Sequence, residues 1–338
     1  MRLGLLGCGS AAYWLHLRAL RGIPGATLVA AADPDPAARA RVASASGVTT
    51  YERADDLLGR SDIEAVLICA PTNLHASLAC AVASAGKHFY LEKPIATLVQ
   101  DARDVVAAAD RAGLTSAIGF NRRHHPLFEQ ARALLNDRVI GRVHAVQTTF
   151  CEPSPPDGMP SWKRRRATGG GVLLDLASHH IDLVRWMLAT EVAVVSVSLS
   201  SETTEQDGAR LELRTEGGAS IQSFFSFRAG PAEAMAFIGE RGTLHLDRHA
   251  ASLAVFVQRS RRYGARRRRV APTADLLRWM VERTWRPSAD PSYRRALQAF
   301  IGQIRGGPPA TASLHDGLRG LETIAAAEAA AAETCGSC

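Results

Sequence analysis

Strand–helix alternation through residue 120, a glycine turn between the first strand and first helix, and a succession of extended runs after residue 190 predict an α/β protein. The expected architecture is an N-terminal doubly wound parallel sheet followed by a C-terminal α/β domain with a large, mostly antiparallel open sheet. A chain of 338 residues fits two domains, placed at 1–120 and 121–338.

The N-terminal elements follow in order. Leu3–Leu6 reads as a strand, Gly7-Cys8-Gly9 as a turn, and the residues to about Arg21 as a helix. Ala26–Ala32 is a strand ending at Asp33, and Ala37–Ser46 a helix. Ala65–Ala70 is an apolar strand closed by Pro71, and His75–Ala85 a helix stopped by Gly86. His88–Leu91 runs into Glu92-Lys93-Pro94; Asp101–Ala112 is a helix capped by Gly113, and Leu114–Gly119 a strand.

Beyond residue 121, helices are expected at Pro126–Leu135 and Gly171–Leu188, separated by a strand at Val143–Phe150 and a proline-rich loop at Glu152–Thr168. Extended runs follow at Val192–Ser200, Ala209–Arg214, Ala219–Phe227, Ala234–Ile238, Thr243–Leu246 and Leu253–Gln258, with Gly217-Gly218 as a hairpin turn. Tyr293–Ile304 and Leu314–Ala332 are the final helices, expected to pack back on the first domain.

Bulk properties narrow the classes. No apolar run approaches the roughly 20 residues of a membrane span. The apolar stretch before Cys8 is too short for a secretory signal, and cleavage there would destroy the glycine motif; a cytoplasmic location is expected. The net charge of +7 equals the seven arginines between Arg259 and Arg269, so the excess belongs to one segment. Only Tyr263 is interleaved as a stacking platform, and nucleic acid is not an expected partner. Cys8, Cys69, Cys80 and Cys151 lie in apolar contexts suited to buried thiols. Cys335 and Cys338 form a terminal CxxC with no second Cys or His pair nearby, and no metal is expected.

Gly7, Gly9, Ser10, Ala11 and Ala12 belong to a G-x-G-x-x-A turn between strand and helix, the arrangement of a Rossmann dinucleotide site. The first glycine permits the turn, the second lets a pyrophosphate approach, and the helix start offers free N–H groups. Asp33 ends the second strand, where an acid accepts hydrogen bonds from ribose hydroxyls and repels a 2′-phosphate. NAD is therefore expected over NADP. A helix cap at Asp33-Pro34 is the plainer alternative.

Gly169-Gly170-Gly171 precedes a helix that places Asp175, His179 and Asp182 on one face, with Leu173, Leu176, Leu183, Val184 and Met187 on another. A polar stripe of this kind is costly to bury unless used or paired. In the structural alternative, Asp182 pairs with Arg185. His180 points to the apolar side. Lys93 follows the strand at 88–91, at the carboxyl edge that forms the binding crevice of a parallel sheet.

Together these residues resemble the glucose–fructose oxidoreductase/inositol dehydrogenase/rhizopine-catabolism (Gfo/Idh/MocA) family over nearly the whole chain. The matching stretches are GLLGCGSAA, AADPDP, CAPTNLH at 69–75, AGKHFYLEKPIA at 85–96, GFNRRHHP at 119–126 and GGGVLLDLASHHIDL at 169–183. The resemblance implies an NAD-dependent hydride transfer on a sugar, cyclitol or nucleotide sugar. Lys93 would assist deprotonation of the reacting hydroxyl, His179 would exchange its proton, and Asp175 would bind and orient the substrate. Ala70, Pro71, Thr72, Asn73, His75, Glu92, Lys93 and Asn121 would contact the cofactor, the region of Thr72, Asn73, His75 and Glu92 lying along nicotinamide and ribose. It also implies a homodimer or homotetramer formed through the C-terminal sheet.

Arg122 and Lys163 are candidate substrate contacts; Lys163 opens a basic run to Arg166 suited to a carboxylate or phosphate. The segment Arg259–Trp285 departs from the family pattern as an insertion, able to cover the site, extend an interface or contact an anion. Two alternatives stand beside the dehydrogenase reading: redox-neutral use of retained NAD in epimerisation or glycoside cleavage, and a non-catalytic dinucleotide-binding regulator. The Lys93–Asp175–His179 set argues against the second.

Overall fold

The aliphatic runs of the N-terminal region line up as one parallel sheet. The computed structural model describes residues 1–258, 265–268, 270–286, 290–309 and 311–335. The chain divides into unit 1 (Met1–Asn121, Ala167–Gly169 and Pro291–Leu321) and unit 2 (Arg122–Arg166, Gly170–Asp290 and Glu322–Cys338).

In unit 1, β1 (Arg2–Leu6), β2 (Thr27–Ala32), β3 (Thr49–Tyr51), β4 (Ala65–Ile68), β5 (His88–Leu91) and β6 (Ser116–Ile118) assemble in the order β3-β2-β1-β4-β5-β6. All five pairings are parallel. Leu3, Leu5, Leu6 and the whole of β4 are buried, as strands covered on both faces by helices must be. The helices are α1 (Leu17–Leu20), α2 (Pro36–Ser46), α3 (Ala54–Leu58), α4 (His75–Ser84) and α5 (Val99–Ala112). The strand order reverses between β1 and β4. Leu6 is level with both Ala32 and Ile68, so three carboxyl ends meet at the switch point where such sheets bind ligands. The short β3 and α3 were not foreseen, because three to five residues are too few to display a period.

Unit 2 begins with α6 (Pro126–Asn136) and is built on a second sheet: β7 (Val143–Cys151), β8 (Val192–Ser200), β9 (Gly208–Thr215), β10 (Ser220–Ser226), β11 (Ala232–Gly239), β12 (Gly242–Asp247), β13 (Ser252–Gln258) and β14 (Ala265–Arg268). Their order is β14-β13-β12-β11-β7-β10-β9-β8. Only the β7–β10 pairing among the described residues is parallel. This is the expected mostly antiparallel sheet. Between β7 and β8 lies α7 (Ser178–Leu188).

Part of the arginine segment is regular. Arg266–Arg268 belong to β14, paired with Val255–Val257 of β13 at the edge of the sheet. Charged residues are tolerated there because they discourage further strand addition. Arg259, Arg261, Arg262 and Arg269 lie outside the described residues, as does Cys338. The segment continues into α8 (Ala274–Trp285), whose start is fixed by Gln130: its amide donates to Ala271 O (2.7 Å) and accepts from Thr273 N–H (3.0 Å).

The last two helices are α9 (Ser292–Ile304) and α10 (Leu314–Cys335). Ala296, Leu297, Phe300 and Ile301 of α9 join Leu3, Leu5, Leu20 and Tyr90 in the core of unit 1. Each large buried side chain there contributes roughly 1.5–3 kcal/mol. Cys8, Cys69 and Cys151 are buried free thiols, whereas Cys80 is half-buried. No helix among the described residues is long and apolar enough to cross a membrane.

Candidate active site

Unit 1 carries the glycine turn that follows β1. Gly7 has φ +89°, and a Cβ there would lie 2.6 Å from Ala70 N, so the position excludes side chains twice over. Gly9 is different: a Cβ there would meet nothing within 4 Å. It opens onto the space a pyrophosphate needs. The chain then enters a π-helical turn, Ala12–His16, with no side-chain cap. The N–H groups of Ser10, Ala11 and Ala12, in the first helical turn, are available to an anion. These features fit a dinucleotide.

Asp33 ties β2 to this turn. Its Oδ2 accepts the Cys8 N–H (2.7 Å) and its Oδ1 the Asp35 N–H (2.8 Å). The cap of α2 is Asp35, not Asp33. Burial, with Asp33 alongside, pushes the Cys8 thiol up to about 12, so it stays protonated. The Arg39 guanidinium rests on the Asp33 carbonyl (2.6 Å).

Lys93 sits on a pinned loop after β5, with a cis peptide to Pro94. Glu92 Oε2 accepts the Lys93 N–H (3.1 Å), and Oε1 meets His16 Nε2 (2.6 Å). Gly119 makes room for this carboxylate, since a Cβ there would lie 2.8 Å from it. His16 is wholly buried. Burial opposes its charge, but Cys69 and the Glu92 carboxylate outweigh burial and push the imidazole up to about 10. Glu92 moves oppositely: burial raises it, and His16 and Lys93 more than compensate, holding it below its ordinary value. A buried imidazolium on a half-buried carboxylate therefore anchors the lysine loop to the first helix. His75 anchors its other side, with Nδ1 2.6 Å from Pro94 O and Nε2 2.9 Å from Ala70 O. Burial lowers the His75 pKa despite these carbonyls.

Other residues of the expected cofactor contact set also brace unit 1. His75 and Asn121 are buried, and Asn121 Nδ2 donates to Ser292 Oγ (2.7 Å). With Glu92, they hold the walls of unit 1. Thr72 is buried in a 3₁₀ turn, Ala70 and Pro71 are half-buried, and Asn73 is exposed.

In unit 2, Gly170 and Gly171 lead into a π turn, Leu173–Ala177, continued by α7. Asp175 lies in the π turn, and its Oδ2 accepts from Lys163 Nζ (2.8 Å). Lys163, expected as a substrate contact, is placed with its ammonium on Asp175. Next in α7, His179 is buried near the tilted ring of Phe150 (6.2 Å). His180 stacks on Phe150 (5.2 Å) and meets Phe225 edge-on, and burial pushes it down to about 4. It is the neutral core residue its position suggested.

Asp182 accepts a bidentate contact from Arg123 (2.9 and 2.5 Å), and Arg185 engages Glu191 (2.7 and 2.7 Å). Arg122 is likewise committed inside unit 2. It lies 2.7 Å from Glu233 and 3.2 Å from Asp290, and Arg248 closes the ring at 3.0 and 2.7 Å. Buried Glu233 needs both guanidiniums to remain ionised; burial raises its pKa, and the two arginines bring it below the ordinary value. Arg122, expected as a substrate contact, is placed in this set of ion pairs.

The expectations overlooked His16, Arg123 and the Glu233–Arg248 pairing. His16 falls seven residues after Gly9 in an apolar helix, where spacing carries no signal of a carboxylate 76 residues away.

Comparison with known proteins agrees with both units. Residues 1–120 match the model of an oxidoreductase family with an NAD-binding Rossmann fold, and residues 128–245 match the GFO/IDH/MocA C-terminal domain. The chain is 30% identical to inositol 2-dehydrogenase of Rhizobium meliloti, over 98% of this chain and 97% of that protein. It is 31% identical to dTDP-3,4-didehydro-2,6-dideoxy-alpha-D-glucose 3-reductase of Saccharopolyspora spinosa, over 73% and 75%. A solved 3-ketoreductase from Actinomadura kijaniata, in complex with NADP and TDP-benzene, superposes with a TM-score of 0.83 at 25% identity, covering 98% and 97% of the two chains. Two further curated relatives are spanned over only 64% and 62% of their lengths.

Proposed function

The chain belongs to the GFO/IDH/MocA family of oxidoreductases, and on that premise we propose that it oxidises a secondary alcohol, or reduces the matching ketone, of a sugar, cyclitol or nucleotide sugar. The observation that carries this reading is the Lys93 loop, pinned by Glu92 and His75 at the carboxyl edge of the nucleotide-binding sheet. The bound nicotinamide supplies hydride exchange at C4; the chain's own residues handle the proton and hold the substrate. The Lys93 ammonium favours the alkoxide form of the reacting hydroxyl. His179 takes the hydroxyl proton in oxidation and returns it in reduction, a task suited to histidine near neutrality. Asp175 accepts a substrate hydroxyl and sets its orientation. NAD is the favoured cofactor because Asp33 stands where a 2′-phosphate would be repelled.

Pairing within the basic run favours an uncharged polyol at the reacting end. Lys163 is used by Asp175 and Arg166 by Glu328. In the C-terminal sheet, Val195, Phe224 and Ile238 are exposed, which supports the reading of that sheet as a homo-oligomer contact; light scattering of a Phe224→Glu variant tests it, with a smaller assembly expected.

Replacing Lys93 by Met, or His179 by Asn, is expected to lower turnover at least ~100-fold while NADH affinity stays within about threefold. Full turnover in either variant, in a screen of cyclitols, sugars and nucleotide sugars that wild type passes, would refute the assignment.

A further inference from the structure

The loop before α7 is fastened at successive residues, and the fastening delivers one cation to Asp175. A 3₁₀ turn at Ser161–Arg164 begins after Pro160, with the Lys163 N–H donating to Pro160 O (2.9 Å). Arg164 Nε donates to Met159 O (3.2 Å), and the Gly170 N–H donates to Arg165 O (2.9 Å). The Arg166 N–H donates to Glu205 (2.6 Å), and the Arg166 guanidinium engages Glu328 (2.5 and 2.8 Å). At Gly170 a Cβ would lie 2.1 Å from Lys163 O and 2.9 Å from Arg165 O. Any side chain there would force the loop away. The outcome is the 2.8 Å contact from Lys163 Nζ to Asp175 Oδ2.

The two acids of this helical stretch are held differently. Asp182 is almost fully buried, and both its oxygens face the Arg123 fork. The Asp175 and Lys163 side chains keep 19% and 33% of their exposure. A lysine engages a carboxylate as a point charge, whereas an arginine fork takes both oxygens. Asp182 is locked as scaffold; Asp175 is oriented while its carboxylate remains accessible to hydroxyl donors.

We propose that Lys163 is a positioning residue for the reaction, acting through Asp175, and that Gly170 lets its loop approach. This rests on the proposed role of Asp175 in binding substrate. Lys163 fixes the rotamer of the carboxylate, so that a substrate hydroxyl meets a ready acceptor. Its contribution falls mainly on KM, because Asp175 binds and does not exchange the reacting proton.

The test is a double-mutant cycle in the full-length enzyme, with kcat and KM measured on the substrate that wild type turns over. Lys163→Met is expected to reduce kcat/KM about 10–30-fold, mostly through KM, and Lys163→Arg to recover to within about threefold of wild type. In an Asp175→Asn background, Lys163→Met is expected to change kcat/KM by less than about twofold, because its target is already neutral. Gly170→Ala, which keeps both charged groups, provides a second route to the same KM defect. Unchanged kinetics in Lys163→Met overturn the inference. So does a full Lys163 effect in the Asp175→Asn background, which would mean that Lys163 acts on the substrate directly. A fully active Asp175→Asn enzyme instead removes the role of Asp175 and this inference with it, while leaving the roles of Lys93 and His179 standing.

Discussion

The chain contains two glycine turns that open onto helices, and they use glycine for opposite ends. Both lead into a π turn without a side-chain cap, Ala12–His16 in unit 1 and Leu173–Ala177 in unit 2. In the first, Gly9 looks onto open space, and the following amides are available to a ligand. In the second, Gly170 meets the Lys163 carbonyl and Gly171 meets Gln206. The Val172 N–H already donates to Gln206 O (2.8 Å). One turn leaves room for a ligand; the other brings a loop in. A glycine motif before a helix is thus not by itself an anion site, and the atoms a Cβ would meet tell the two cases apart.

The largest effects should come from glycines that touch backbone. Gly7→Ala must adopt a left-handed conformation and overlap Ala70 N, costing about 3 kcal/mol or more. A fall in melting temperature of roughly 5–10 °C, with loss of NADH binding, is expected. Gly170→Ala should also lower the melting temperature, but NADH affinity should hold while kcat/KM falls. Equal loss of NADH affinity in both variants would erase the distinction between the turns.

The π turns also each hold one member of an ion pair, and the two pairs differ in exposure. His16 is sealed with Glu92, whereas Asp175 stays partly exposed with Lys163. His16→Asn is expected to destabilise by roughly 2–3 kcal/mol, because it strands a half-buried carboxylate. The effect should depend on pH. With its folded-state pKa raised to about 10, His16 contributes fully below its ordinary value of 6.5 and loses that contribution as pH rises through about 10. Glu92, held below its ordinary value of 4.5, contributes above that value and loses the contribution as pH falls through its lowered folded-state pKa. The melting-temperature gap between wild type and His16→Asn should therefore be widest between about pH 4.5 and 6.5 and narrow towards pH 10. A gap that is flat from pH 6 to 10 would contradict the charged pair.

How far these arrangements were legible follows from the range of the interactions involved. The parallel sheet was readable because its strands are continuous apolar runs closed by glycine or proline, and Lys93 because it follows such a run. The D-x-x-x-H spacing brought Asp175 and His179 forward. What resisted reading was any pairing across long sequence separations: His16 with Glu92, Arg123 with Asp182, Arg122 with Glu233. For Asp182 the local alternative was Arg185 three residues on, whereas the fork that takes both its oxygens comes from Arg123, 59 residues away. The strand β14 was hidden because arginines carry little strand propensity, and the edge position that tolerates them is a property of the assembled sheet.

Gly9→Ala gives an intermediate effect and the sharpest contrast with Gly7. The added methyl meets no protein atom, so the melting temperature should stay within about 2 °C of wild type. The same methyl enters the space for the pyrophosphate, and NADH affinity should fall roughly 10–100-fold, or about 1.4–2.7 kcal/mol. Unchanged NADH affinity would place the cofactor phosphates elsewhere.

The smallest expected effect concerns Asp33 and the choice between NAD and NADP. Both its oxygens already accept backbone N–H groups, from Cys8 and Asp35. Removing the side chain therefore loosens the turn as well as removing a negative charge. Asp33→Ala should weaken NADH binding while relaxing the preference for NADH over NADPH. Asp33→Asn separates the two effects. It keeps one oxygen to support the turn but no longer repels a 2′-phosphate, and the Arg39 guanidinium on the neighbouring carbonyl is close enough to the turn to favour that phosphate. The ratio of NADPH to NADH dissociation constants, from nicotinamide fluorescence titrations, should fall about tenfold in Asp33→Asn. Wild-type protein that binds NADPH more tightly than NADH would take the cofactor role from Asp33 and leave it as the brace between β2 and the glycine turn.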